Sequence, residues 1–537
     1  MKRSPKPRPR LTPPSLFNIA KIVAVATLIG KVFGLLRSTL MAAVFGVGTV
    51  ANAYNYAYII PGFSLTILGG INGPLHVSLV SVLSKRDKSE AASIVKNITT
   101  LVSGFLLLLT ILLILFANNF IDLIAPGLQS PVRELAIAQL QIMAPVVLFA
   151  GLIGIGFGSL NAAQHYWLPS ISPMFSSMTV MVGLGWFIWQ GEEASSIQYL
   201  RMGSFVLATA TLIGAIVQWL MQWFVQRREG MGGLIPSFNW NTPGVKEAVF
   251  IMIPAILSSS MGQINIYIDL YFASYIPGAA ASLNYAGLLA QTPKGILSSI
   301  LLIPLMPVFS HLATPEHWTA LKQRIRQGLV LTALTMLPLG ALMIALAVPI
   351  VKLVFERQAF DANASRLVAS VVMAYGLGAF TSVAVSILVR VFYALEDGKT
   401  PFRITLLNIL LNVVLDYLLI QSLGTPGLVL ASMSLNISAM LIMLWCLHRR
   451  LDGLPWREWG TVLLGLVRSA GIAGLTAWGI GQGFALILGR DRILGLLLQL
   501  VLAGSTGLGV FAILVSWMKL PEVELLLSRF RKKNISG

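Results

Sequence analysis

LIGKVFGLLRSTLMAAVFG, Leu28 to Gly46, is an apolar stretch that carries two cations, Lys31 and Arg37, with Gly30 just before the first and Gly34 between them. It lies in an apolar run, 17–46, and a helix needs about 20 such residues to cross the hydrocarbon of a bilayer. Either this is a soluble helix with a charged face or a membrane span with charge inside it. The fold class turns on that choice, and the rest of the chain decides it.

Of the 537 residues, 56% are hydrophobic and 11% charged, and the mean hydropathy of +0.81 is outside the soluble globular range. Apolar runs of roughly 18 to 30 residues recur from 17–46 to 493–518, without the period-two alternation of an outer-membrane barrel. The chain therefore reads as an all-α polytopic membrane protein of about 14 transmembrane helices. The single cysteine, Cys446, excludes an intramolecular disulfide and any cysteine-based metal cluster. The basic opening MKRSPKPRPR precedes an apolar run too long for a signal peptide and is read as a retained tail.

Numbering the loops from a cytoplasmic N-terminus puts 25 of the 38 lysines and arginines inside, 7 outside and 6 within spans. Short cytoplasmic loops hold such an excess, so both termini are expected inside and the net charge of +18 reports topology, not nucleic-acid binding.

Compared with itself at an offset of about 230 residues, the chain aligns Pro61 with Pro293 and Pro169 with Pro401. Each half then holds six spans, an arrangement of parallel repeats found mainly in transporters. The expected organisation is a cytoplasmic tail (1–16), an N-terminal lobe (17–227), a cytoplasmic linker (228–246), a C-terminal lobe (247–450), two further spans (451–518) and a second basic tail (519–537).

The cations within spans are Lys21, Lys31, Arg37, Lys294, Arg390 and Arg468. A charge at mid-membrane costs roughly 2.5–3.5 kcal/mol on insertion scales, so such residues face a wet cavity or a partner. Lys21 can snorkel to the cytoplasmic end, and Arg390 lies near a loop. Lys31 and Arg37 are central, and the only acids of that half lie in loops, such as Asp87, Asp122 and Glu193. On a helix bent at its glycines they would converge on a cavity and bind an anion. In the other half Asp269 and Asp416 lie inside spans, Asn412 precedes Asp416 by one turn on the same face, and Ser432 and Ser434 open the next span. Carboxylates with amide and hydroxyl oxygens suit a hard monovalent cation such as Na⁺, or a proton relay, whereas one protonated Asp hydrogen-bonded to Asn412 is the plainer alternative. The lone His76 inside a span reads as a packed, hydrogen-bonded residue. No Walker A loop, HExxH or GxSxG is present, so transport would draw on ion gradients or membrane potential.

At NGPLHVSLVSVLSKR, GIGFGSLNAAQHYWLPSISP and RVFYALEDGKTPFRI the chain resembles the MurJ/MviN family of lipid II flippases in the MOP exporter superfamily. The resemblance covers nearly the whole chain. It implies alternating-access movement of an undecaprenyl-diphosphate-linked glycopeptide across the bacterial inner membrane. It further implies a cationic cavity for the headgroup, a lipid-tail groove at the last two spans, and contact with membrane lipids and cell-wall synthesis enzymes. By position Lys31 and Arg37 match the family's first cavity arginines; Ser38 and Asn52 stand where acids are usual, Asn72 for a glutamate, and Leu65 and Thr66 where arginine is expected. Leu288 takes the arginine position of the eighth span, with Lys294 farther along as its substitute. Lys31, Arg37, Asn52, Asn72 and Lys294 are thus the implied substrate-binding set. Asp269, Asn412, Asp416 and Ser432 resemble a sodium site of some members. The altered cavity leaves open an exporter of another polyprenyl-linked glycan or amphiphile, and a non-transporting scaffold for wall synthesis is the third class.

Overall fold

The computed structural model describes residues 16–70, 73–191, 196–233, 236–240, 242, 244–261, 263–302, 305–488 and 493–523. Every regular element among them is helical: α1 (Leu16–Phe45), α2 (Thr49–Ala57), α3 (Ile59–Ile67), α4 (Pro74–Leu83), α5 (Lys88–Leu115), α6 (Ala117–Ile124), α7 (Val132–Met143), α8 (Val146–Ala162), α9 (Trp167–Ile171), α10 (Pro173–Trp189) and α11 (Ile197–Arg228). They continue with α12 (Val245–Met261), α13 (Ile264–Ala273), α14 (Ala279–Leu302), α15 (Leu305–His311), α16 (Trp318–Ala345), α17 (Ala347–Phe355), α18 (Ala362–Ala394), α19 (Lys399–Leu423), α20 (Thr425–Arg450), α21 (Trp456–Leu488) and α22 (Ile493–Trp517).

Among the described residues eleven segments are long and apolar enough to cross a bilayer, and twelve when α7 and α8, which meet at 43°, count as one bent span. The expected fourteen is not reached, and the difference falls on the second run of each half. Residues 50–84 are cut into α2, α3 and α4, of 9, 9 and 10 residues, none of which spans hydrocarbon alone. Gly69, Gly70, Gly73 and Pro74 account for the second break, since glycine and proline disfavour continuing a helix. In the other half α14 is long enough at 24 residues, but Asn284, Gln291, Thr292 and Lys294 lower its apolarity.

The chain divides into two compact units. The first comprises Met1–Leu40, Ala57–Phe120 and Leu135–Gly262; the second comprises Met41–Tyr56, Ile121–Glu134 and Gln263–Gly537. The first has a core of Leu75, Leu79, Ile94, Ile98 and Ile155. Its α11 is further joined by buried amides to α8, where Gln226 Nε2 donates to Ser159 Oγ (2.6 Å), and to the residue before α10, where Gln222 Nε2 donates to Ser172 Oγ (2.8 Å). The second is built on Phe309, Ile325, Ile387, Phe392, Met443 and Leu447. There α16 and α18 approach backbone to backbone, because a Cβ on Gly376 would meet Gly340 O at 2.8 Å. Without a hydrophobic drive between helices in lipid, such small-residue contacts carry the packing. The last two helices belong to this unit, α21 against α16 and α22 against α17.

The backbone repeats where the prolines do. Gly46 and Gly278, 232 residues apart like Pro61 and Pro293, both have positive φ (57° and 75°), as do Gln164 and Glu396 (65° and 59°). At these last two the same helix-ending bond recurs, His165 N to Leu160 O and Asp397 N to Phe392 O, each 2.8 Å. The spacing also sets Arg37 against Asp269, so equivalent positions of the two halves carry opposite charge.

Candidate functional site

The second unit assembles the oxygen cluster. α19 ends at Gly424, whose φ of 61° lets the chain turn back at once into α20. The two helices therefore pack along their length, and α13 lies against both. Asn412 and Asp416, one turn apart on α19, are fully buried. Asn412 Nδ2 donates to Asp269 Oδ1 (3.0 Å) and to Asp416 Oδ2 (3.2 Å), and Ser432 Oγ of α20 donates to Asp269 Oδ2 (3.4 Å). Three helices thus converge on one point. Asn412 Oδ1 and Asp416 Oδ1 are buried acceptors without a hydrogen-bond partner among the described residues. Two carboxylates, an amide oxygen and a hydroxyl, two of the oxygens unsatisfied, fit a bare monovalent cation and offer nothing to a soft metal. Ser434 is not part of the cluster: its hydroxyl bonds back to Leu430 O (2.8 Å) within α20.

The cations of α1 belong to the first unit. The helix runs unbroken through Gly30 and Gly34, and nothing among the described residues lies within 4 Å of a Cβ placed on either, so the glycines serve no close approach there. Six residues of helix turn about 600°, which leaves Lys31 and Arg37 on different faces. Lys31 is exposed and Arg37 half-buried, and neither has an ion-pair partner among the described residues. Asp122, one of the nearest acids in sequence, is held by Arg133 through two bonds of 2.7 and 2.8 Å.

The remaining implied positions disperse. Asn52 is 4% exposed on α2 in the second unit, its Oδ1 without a partner among the described residues; Asn72 lies outside the described residues. Lys294 is half-buried on α14 and lines a cavity of about 90 Å³ with Ser432. His76 is packed as expected, accepting from Asn161 Nδ2 at 2.6 Å. A larger apolar cavity of about 600 Å³ follows α21, walled by Gly471, Gly474, Leu475 and Trp478 with Leu346 and Met373.

The conspicuous loop motif RVFYALEDGKTP is structural. Asp397 accepts from Thr400 N (3.0 Å), Thr400 Oγ1 (2.7 Å) and Arg450 (2.9 Å), fastening the start of α19 to the end of α20. Burial alone would raise its carboxyl, but the Thr400 hydrogen bonds and the Arg450 charge hold it below the usual carboxylate range.

Residues 41–486 match the family model described as Lipid II flippase MurJ. The chain is 53% identical, over 97% of its length and 98% of the relative's, to a protein of Synechocystis sp. named "Probable lipid II flippase MurJ". In fold it is similar to a solved "Lipid II flippase MurJ, inward closed conformation" (TM-score 0.73, 21% identity, 93% of this chain and 98% of that one). It is also similar to an inward-facing multidrug resistance MATE family transporter of the MOP superfamily (TM-score 0.57, 14% identity, 81% and 98%). This chain belongs to the lipid II flippase MurJ family.

Proposed function

We infer that the protein is a lipid II flippase of the bacterial inner membrane: a transporter, not an enzyme, that carries the undecaprenyl-diphosphate-linked peptidoglycan precursor from the cytoplasmic to the outer leaflet by alternating access. Family membership supplies the substrate. The observation that carries a transport reading is the cluster Asp269, Asn412, Asp416 and Ser432, because two carboxylates inside the apolar spans are too costly for a scaffold to keep. In this reading Na⁺ is the coupling ion. Asp269, Asp416, Asn412 Oδ1 and Ser432 Oγ would hold it, and bound Na⁺ would supply the charge that two adjacent carboxylates lack. Its binding shifts the inward/outward equilibrium by its differential affinity for the two states.

Lys31 and Arg37 are the diphosphate cations in this scheme, with Asn52, Asn72 and Lys294 completing the headgroup set. The groove beside Trp478 takes the polyprenyl tail, its walls being apolar as a hydrocarbon chain requires. Both termini are cytoplasmic, supported by the loop asymmetry of lysine and arginine. Membrane lipids and cell-wall synthesis enzymes are its partners.

Depleting the protein and measuring lipid II in the inner leaflet tests the function. Accumulation there supports the flippase. Normal lipid II with another polyprenyl-linked glycan retained inside would identify a different exported substrate, and normal levels of all such lipids would leave only a scaffold.

A further inference from the structure

We propose that Lys294 sets the cation affinity of the Asp269/Asp416 cluster, and that the cavity it lines couples the substrate's phosphate charge to that cation. This rests on the sodium-coupled reading above. Three helices each turn one polar pair into the cavity: Gln291 and Lys294 from α14, Tyr375 and Ser382 from α18, Ser432 and Asn436 from α20. The pairs are spaced i,i+3, i,i+7 and i,i+4, so each lies on one face of its helix, and α14, α18 and α20 pack mutually. Six polar side chains around about 90 Å³ make a hydrated chamber, since a water needs only about 10–15 Å³ of such space and several polar partners.

Ser432 belongs to both places. It lines the chamber and donates to Asp269 Oδ2, so the chamber adjoins the cluster through one side chain. Lys294 has no ion-pair partner among the described residues. Its positive charge therefore acts on the cation beyond Ser432 uncancelled. Unit charges roughly 10 Å apart at an effective dielectric near 20 change an affinity by a factor on the order of ten. A phosphate oxygen engaging Lys294 cancels the repulsion and tightens the cation, and by linkage the cation tightens phosphate binding by the same factor.

The test is thermal unfolding of the purified full chain against NaCl, with choline chloride holding ionic strength constant. Lys294→Gln should lower the NaCl midpoint up to tenfold, and Lys294→Arg should keep the wild-type midpoint. Ser382→Asp, which places a carboxylate in the chamber from α18, should reproduce the Lys294→Gln shift without touching the lysine. Adding lipid II should lower the wild-type midpoint and leave Lys294→Gln unmoved. A wild type that ignores NaCl overturns the sodium reading and the inference together. A wild type that responds, with the same midpoint in Lys294→Gln and Ser382→Asp, overturns the inference alone.

Discussion

Asp416→Asn separates a cation site from a structural hydrogen-bond network, because the two assign it opposite effects. The side chain is fully buried, and Asn412 Nδ2 is shared between its Oδ2 and Asp269 Oδ1 at 3.2 and 3.0 Å. A carboxylate attracts a monovalent cation by about 4 kcal/mol at 4 Å and an effective dielectric of 20. The substituted amide still offers a carbonyl oxygen, so the net loss should be on the order of 100-fold in Na⁺ affinity, or about 2.7 kcal/mol. Without Na⁺ the variant should unfold at a higher temperature than the wild type, because one of two adjacent buried carboxylates has become neutral and can donate to the other. The assay is the unfolding temperature with and without NaCl, followed by sodium dependence of lipid II movement in proteoliposomes. A variant that is less stable in the absence of Na⁺ yet keeps the full Na⁺ response would refute the reasoning.

Arg37→Ala should abolish growth of a strain depleted of the wild-type protein while membrane abundance on an immunoblot stays normal; growth would remove this cation from the mechanism. Gly471→Leu should slow transport without unfolding the protein, since nothing among the described residues lies within 4 Å of the added Cβ and the side chain fills the groove beside Trp478; unchanged transport would exclude the groove as a tail site. Asp397, held below the unfolded carboxylate value, contributes stability that is present above about pH 4 and lost as pH falls through its lower folded pKa. Asp397→Asn should therefore lower stability at pH 7 and flatten the acid limb of the unfolding temperature, and an unaltered limb would assign acid sensitivity elsewhere.

Composition and run length were sufficient for the class, because lipid offers backbone polar groups no partner and leaves a spanning chain this apolar only helices. The duplication was legible for a similar local reason. Proline is conspicuous wherever it interrupts an apolar run, so Pro61 with Pro293 and Pro169 with Pro401 announce equivalent positions without reference to the rest of the chain, whereas the matching positive φ of Gln164 and Glu396 shows only in the backbone. Asp269, Asn412 and Asp416 stood out because carboxylates and amides are expensive in hydrocarbon, and the i,i+4 spacing of the last two is a property of one helix.

Other features needed the packed structure. Hydropathy averages over a window, so it counted 50–84 as one span, whereas the structure divides the run into α2, α3 and α4, each too short to cross alone. The meeting of α13 with α19 and α20 depends on contacts between residues up to 163 apart in sequence, which no local pattern encodes. Ser432 and Ser434 look alike along the chain, yet one reaches Asp269 and the other its own helix, because two residues of rotation separate toward from away. The chamber around Lys294 has a trace in sequence, three same-face polar pairs on apolar helices, but the trace acquires meaning only once packing sets those three faces against one another. A helix specifies its own faces through its period; which faces meet is settled by the shapes of neighbouring helices.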